Sequence, residues 1–227
     1  MNNLKVRYLH LDEIETSVAE LLRAFEATRK KIIEPPIPID DIVEKHLKLT
    51  LELRDLEAFL GVPDALGAIW FDLGIVRLAK QLEEQEGRYC FTLSHEVGHW
   101  ILHRPQIKAE NSTPNLLQDL NPQPNIVCRT SEETARAEWQ ANQFAARLLI
   151  PTRFVRAATD ACYKGPIFIE GLDTRRSDPV IVSQLSDAAA NVISKGNFTN
   201  VSNEAMRYRL LDLGLVRDAN RPQFDLF

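Results

Sequence analysis

Between Arg88 and His103 the apolar residues Leu93, Val97, Trp100 and Ile101 recur at helical spacing, and His95 and His99 fall on the other side of the same pattern. A chain carrying this stretch must bury one flank of a helix and present two imidazoles from the other. The stretch itself is His95-Glu96-Val97-Gly98-His99. Four residues advance a helix by about 6 Å and return nearly to the same azimuth, so the two rings stand one above the other and can share one metal ion. Glu96 is displaced around the helix, where it can reach an activated water without being a ligand, as general base and then proton donor to a leaving amine. The division of faces predicts a core on one side and a cleft on the other, with Pro105 ending the helix.

Zinc in a catalytic site takes three protein ligands and keeps a fourth position for water, so a third ligand must come from elsewhere in the chain. His103 is four residues beyond His99, but its Cα would lie about 12 Å along the axis from that of His95, too far for three rungs to converge on one ion. A supporting or surface role suits it better. Glu138 is the better candidate: it sits on a helix expected over 131–149, next to Ala137 of the apolar stripe and one turn before Asn142. Asn142 could orient a ligand by hydrogen bond. Glu132 and Glu133 are rivals, although acidic residues in a first helical turn are expected for the helix dipole alone. Cys128, just upstream, could ligate as a thiolate, the plainer reading being a free loop cysteine.

The remaining periodicities set these segments in a mixed chain. Ile14, Val18, Leu21, Leu22 and Phe25 form a helical stripe, entered by an Asp12/Glu15 capping box and ended near Ile33 by Pro35, Pro36 and Pro38. A short helix follows from Asp41. Leu47, Leu49, Leu51 and Leu53 alternate with polar residues as in a half-buried strand, and Gly61 to Asp64 reads as a turn. Residues 68–71 and 75–78 predict a hairpin with a three-residue loop and Gly74 at positive φ. The segment 105–129, polar and proline-bearing, reads as a long loop, and Thr130 with Glu133 as a capping box. Ala137, Ala141, Phe144, Ala145 and Leu148 give the next stripe. A helix from Pro151, an extended piece at 167–169 and helices around 181–193 and 203–213, with Gly214 as C-cap, complete the chain.

Composition narrows the partners and the compartment. Of 227 residues, 27 are basic and 32 acidic, a net charge of -5 that argues against a nucleic-acid-binding surface over the whole molecule. Three cysteines at wide spacing, Cys90, Cys128 and Cys162, suit a reducing compartment, and no apolar run has the length of a signal or a membrane span. A soluble cytoplasmic protein is expected. The Asn-x-Ser/Thr triplets at Asn111, Asn197 and Asn200 then carry little meaning.

Phe91 to His103, followed by Glu138-Trp139-Gln140-Ala141-Asn142-Gln143-Phe144-Ala145-Ala146-Arg147-Leu148-Leu149-Ile150-Pro151, resembles the ImmA/IrrE family of bacterial and phage metallopeptidases. The family's second motif, E-x-E-A-N-x-F-A-x-x-L-L-M-P, has Gln140 here at its second acidic position and Ile150 in place of methionine. The resemblance runs over roughly residues 36 to 155, with a longer connection between the motifs, 104–129. It implies an α+β, zincin-like fold with a small, mostly antiparallel sheet packed on helices. It further implies a zinc-dependent endopeptidase whose His95, His99 and Glu138 hold Zn2+ and whose Glu96 is catalytic. The implied substrates are cytoplasmic helix-turn-helix repressors of phage, mobile-element or stress genes, bound as a strand at the sheet edge.

The expected organisation is an N-terminal helix (1–35), a peptidase domain (36–165) and a helical C-terminal appendage (166–227). Val201 to Leu210 look like the end of a helix-turn-helix, with Ser202 as cap, but residues 201–221 carry a net charge of only +1 from Arg207, Arg209, Arg217 and Arg221 against Glu204, Asp212 and Asp218. A structural or partner-docking appendage is the stronger expectation. A rival function is a regulator that binds and derepresses its partner without hydrolysis, its metal structural or vestigial. For the group stabilising an oxyanion, Tyr89, His103, Tyr163 and Tyr208 are all conceivable. The substrate, the cleavage position, the activating signal and the oligomeric state are not written in these patterns.

Overall fold

The computed structural model describes residues 6–110, 123–129 and 136–220. The expected capping box at Thr130 and Glu133, the rival ligands Glu132 and Glu133, the middle of the 104–129 connection, and Arg221 lie outside these residues. Two compact units are present: Met1–Ile33 with Ile37–Leu149, and Glu34–Pro36 with Ile150–Phe227.

In the first unit α1 (Leu11–Arg29) buries Ile14, Val18, Leu21, Leu22 and Phe25, the stripe read from the sequence, and packs on α6 (Arg136–Leu149). Its ends differ from expectation. Glu13, not Glu15, closes the first turn, accepting from the His10 backbone N–H at 2.9 Å. Lys30 adopts φ 52° and stops the helix before the prolines are reached. The next helix is α2 (Ile39–Asp41), continued by a π turn over Ile42–His46.

The sheet has the order β1-β3-β2-β4, built from β1 (Thr50–Arg54), β2 (Ala65–Trp70), β3 (Ile75–Ala79) and β4 (Ile126–Arg129). β1 runs parallel to β3, while β2 is antiparallel to both β3 and β4, so the sheet is mostly antiparallel within an α+β fold. Lys48 at φ 58° interrupts the leucine alternation, which delays β1 to Thr50. The hairpin pairs Trp70 with Ile75, leaving four loop residues rather than three, with Gly74 at φ 64°. α3 (Leu56–Leu60), capped by Asp55, was not read from sequence. It packs on β2 and β3, and α4 (Glu86–Gly98) packs on the same two strands. All six residues of β2 are buried.

α4 does not end at Pro105. A π turn over His99–His103 follows it, and α5 (Arg104–Glu110) continues beyond. In that turn Arg104 N–H bonds the His99 carbonyl, five residues back. The widened turn relieves the clash a proline ring makes with the carbonyl four residues before it, which is why Pro105 is accommodated. With α5 and β4 in place, the expected loop over 105–129 is structured at both ends.

The second unit contains α7 (Thr152–Tyr163), β5 (Ile167–Ile169), α8 (Pro179–Gly196), α9 (Asn203–Asp212) and β6 (Val216–Asp218). α7 packs on α8 and α8 on α9. Thus the helix from Pro151, assigned above to residues 36–165, groups with the C-terminal helices. β6, not read from sequence, pairs parallel with β5. Ser202 caps α9 by accepting from Ala205 N–H at 3.1 Å. Arg209 is buried in this unit, its Nε donating to the Ile150 carbonyl and its Nη1 pairing with Asp212 at 2.7 Å. Among the described residues, no helix is long and apolar enough to cross a membrane.

Candidate metal centre

α4 and α6 bring the distant parts of the site together because their backbones approach closely. At Gly98, a Cβ would lie 3.1 Å from the Ala141 Cα and 3.2 Å from the Ala141 carbonyl oxygen, contacts that only a glycine and a small partner residue permit. Glu138, one turn before Asn142 on α6, is thereby laid across the histidines of α4. His95 Nε2 is 3.0 Å from Glu138 Oε2, His99 Nε2 is 3.3 Å from Glu138 Oε1, and the two Nε2 atoms are 2.9 Å apart. Zinc bound tetrahedrally at about 2.0–2.1 Å holds nitrogen and oxygen donors about 3.3 Å from one another. The donor set has that spacing.

Each ring is also held from behind. His95 Nδ1 contacts Asn142 Oδ1 at 2.8 Å. His99 Nδ1 contacts His103 Nδ1 at 2.8 Å, and His103 Nε2 contacts Gln140 Oε1 at 2.9 Å. Gln140 in turn donates its amide to the Arg7 carbonyl at 2.9 Å. The directions follow from the end of this chain. With the Gln140 NH2 used on Arg7, its oxygen accepts from His103 Nε2–H, and His103 Nδ1 accepts from His99 Nδ1–H. His99 Nε2 is left with its lone pair facing Glu138 and His95. These partners fix ring orientation and tautomer as the outer partners of metal-binding histidines do.

Electrostatics describe a site whose charges depend on one another. Burial acts against a charge on His95, but Cys128, then Glu138 and Glu96, outweigh it and raise its pKa well above the usual imidazole range. Burial holds His99 down to about 3. Burial also works against the Glu138 charge, yet the hydrogen bond from His95 and the closeness of His99 keep its carboxyl well below the usual range. Imidazole and carboxylate donors of this kind bind a divalent ion in competition with protons.

Glu96 is fully buried, and among the described residues neither of its carboxylate oxygens has a hydrogen-bond partner. Burial pushes its pKa up to about 8, with His95 opposing and Glu138 adding to the rise. Its carboxylate fits because Gly67 on β2 has no side chain: a Cβ there would collide with Glu96 Oε1. An orphaned buried carboxylate is costly to keep unless something delivered to the site completes it. The residues present therefore fit a bound divalent cation.

Two features depart from the sequence reading. The face bearing His95 and His99 is not an open cleft: the two side chains are 2% and 0% exposed, while Glu138, at 16% for its side chain, reaches toward solvent. Cys128 is a free cysteine, as expected, but not in a loop. It lies on β4, and its Sγ and ligand atoms of His95 and Glu138 are all within 4.8 Å of one another. A hydrogen bond joins it to His95, and burial raises its thiol pKa. Of the tyrosines considered for an oxyanion, Tyr89 gives its hydroxyl to Asp40 at 2.5 Å, and burial together with that carboxylate raises its pKa.

Residues 73–162 match the family model of Peptidase_M78, the IrrE N-terminal-like domain, and the match supports both the resemblance to the ImmA/IrrE family and a metallopeptidase-type function. No curated protein matches the chain.

Proposed function

We propose that the protein is a zinc-dependent endopeptidase in which His95, His99 and Glu138 hold Zn2+ and Glu96 is the catalytic base. The observation that carries this reading is the convergence of His95 Nε2, His99 Nε2 and the Glu138 carboxylate, with contacts of 2.9–3.3 Å, beside a buried carboxylate that has no hydrogen-bond partner among the described residues. Zinc bound there supplies a Lewis acid that lowers the pKa of water toward about 7 and polarises a scissile carbonyl. Glu96 accepts the proton of the attacking water at a carboxylate oxygen and passes it to the nitrogen of the departing amine. Asn142 and the His103–Gln140 pair hold the two imidazoles still while this happens.

The substrate that best suits the family resemblance is a cytoplasmic helix-turn-helix repressor. Zinc analysis and repressor cleavage, compared between the wild type and Glu96→Gln, test the proposal. The variant keeps its zinc and loses cleavage. Repressor release by the variant, with no shorter fragment on a gel, supports a non-hydrolytic regulator instead.

A further inference from the structure

β4 closes the sheet on the side of the metal donors, and its register decides where Cys128 points. β4 pairs antiparallel with β2, with Cys128 opposite Gly67 and Val127 opposite Ala68, and the register shifts between Ala65 and Gly67. Directly opposed residues of an antiparallel pair present their side chains on the same face. Gly67 is the residue whose absent Cβ makes room for Glu96, so the Cys128 side chain emerges on the face occupied by Glu96 and the histidines. The bulge next to this pair belongs to a kind of irregularity that re-aims side chains beside active sites. The short distances between Cys128 Sγ, His95 and Glu138 agree with this placement.

Resting on the metal-site reading above, we propose that Cys128 is a fourth protein ligand of the cation. The resting site is then closed by two imidazoles, a carboxylate and a thiolate, and hydrolysis waits on the departure of Cys128. On coordination the thiol gives its proton to solvent and sulfur supplies the lone pair, with no change of oxidation state. A tetrahedral zinc with a Zn–S bond of about 2.3 Å holds sulfur about 3.6 Å from a nitrogen ligand, a spacing the 4.8 Å bound accommodates for His95. Four protein ligands are the mark of a closed structural site, whereas catalysis needs one position open to water. The unpartnered Glu96 carboxylate beside this thiol is what an open site would use and a closed one leaves idle.

Cobalt substitution of the full chain tests the assignment without any substrate. The protein is stripped by chelator, loaded with one equivalent of Co(II), and its absorption recorded for the wild type and Cys128→Ser. The expected result is a sulfur-to-cobalt charge-transfer band in the near ultraviolet for the wild type. Cys128→Ser should lose that band while keeping the visible bands of four-coordinate cobalt. Acetohydroxamate should shift the visible bands of Cys128→Ser, whose fourth position is open, at concentrations that leave the wild type unchanged. Visible cobalt bands in the wild type with no ultraviolet band overturn the thiolate assignment and leave the metal site standing. An ultraviolet band that survives in Cys128→Ser assigns the sulfur to another cysteine and overturns it too. Equal response of both proteins to acetohydroxamate overturns the closure. Failure of the wild type to take up cobalt removes the metal-site reading itself, and this proposal with it.

Discussion

Gly67 on β2 lies directly against the carboxylate of Glu96, with no space between them for even a methyl group. The Thr92 Cγ2, 3.1 Å from where that methyl would sit, closes the other side. In Gly67→Ala, therefore, the Glu96 side chain is the part that moves. A displacement of about 1 Å of a catalytic group costs about 10²-fold in rate. Gly67→Ala is expected to lose about that much activity while retaining its metal, measured by metal analysis and hydrolysis of the same substrate.

Gln140 supports His99 at one remove, through His103. Gln140→Leu leaves His103 Nε2 without its acceptor and frees the His99 ring to turn. Loss of such an outer partner typically weakens metal binding 10–100-fold. Chelator competition reads this loss directly, and Gln140→Glu, which keeps an acceptor oxygen at the same place, is expected to restore most of the affinity.

How much of this site the sequence discloses depends on how locally each part is determined. That His95 and His99 share a helix face with Glu96 offset is legible from their spacing, and that Glu138 lies one turn before Asn142 from a second amphipathic stripe. The hairpin is legible over 68–71 and 75–78 because its two apolar runs and Gly74 are adjacent. Cys128 is legible only as a possible ligand, since its place beside His95 depends on a strand pairing that joins it to Gly67, 61 residues earlier (128 minus 67). The His103–Gln140 relay is not legible, because it joins two helices beside a π turn that ordinary helical spacing does not reveal. Pro105 misleads for the same reason: a proline that breaks a regular α-helix is tolerated after a widened turn.

The close passage of α4 and α6 yields a test of how the site is assembled. A side chain at Gly98 presses on the backbone of Ala141, which has no flexible end to yield. Gly98→Ala is expected to destabilise the protein by about 1–3 kcal/mol, the usual result of overpacking a tight contact. Because the same contact sets Glu138 against His95 and His99, metal affinity should fall together with the denaturant midpoint.

In the C-terminal unit the Asp218 carboxylate accepts backbone N–H bonds from Gly171, Asp173 and Asn220. The bonds from Asp173 and Asn220, then that from Gly171, hold its pKa below the ordinary value of 3.8. A carboxyl whose pKa is lower when folded stabilises the fold above its unfolded pKa, and that contribution is lost as the pH falls through the folded value. Asp218→Asn should therefore be less stable than the wild type at pH 6–7, and the difference should shrink below about pH 4. Denaturation curves across that range check the sign.

Zinc-edge anomalous scattering from crystals soaked in zinc tests the central claim most directly. The account predicts a single strong peak within bonding distance of His95 Nε2, His99 Nε2 and the Glu138 carboxylate. A map with no peak among these three side chains, or one with Glu138 turned out to solvent, contradicts it.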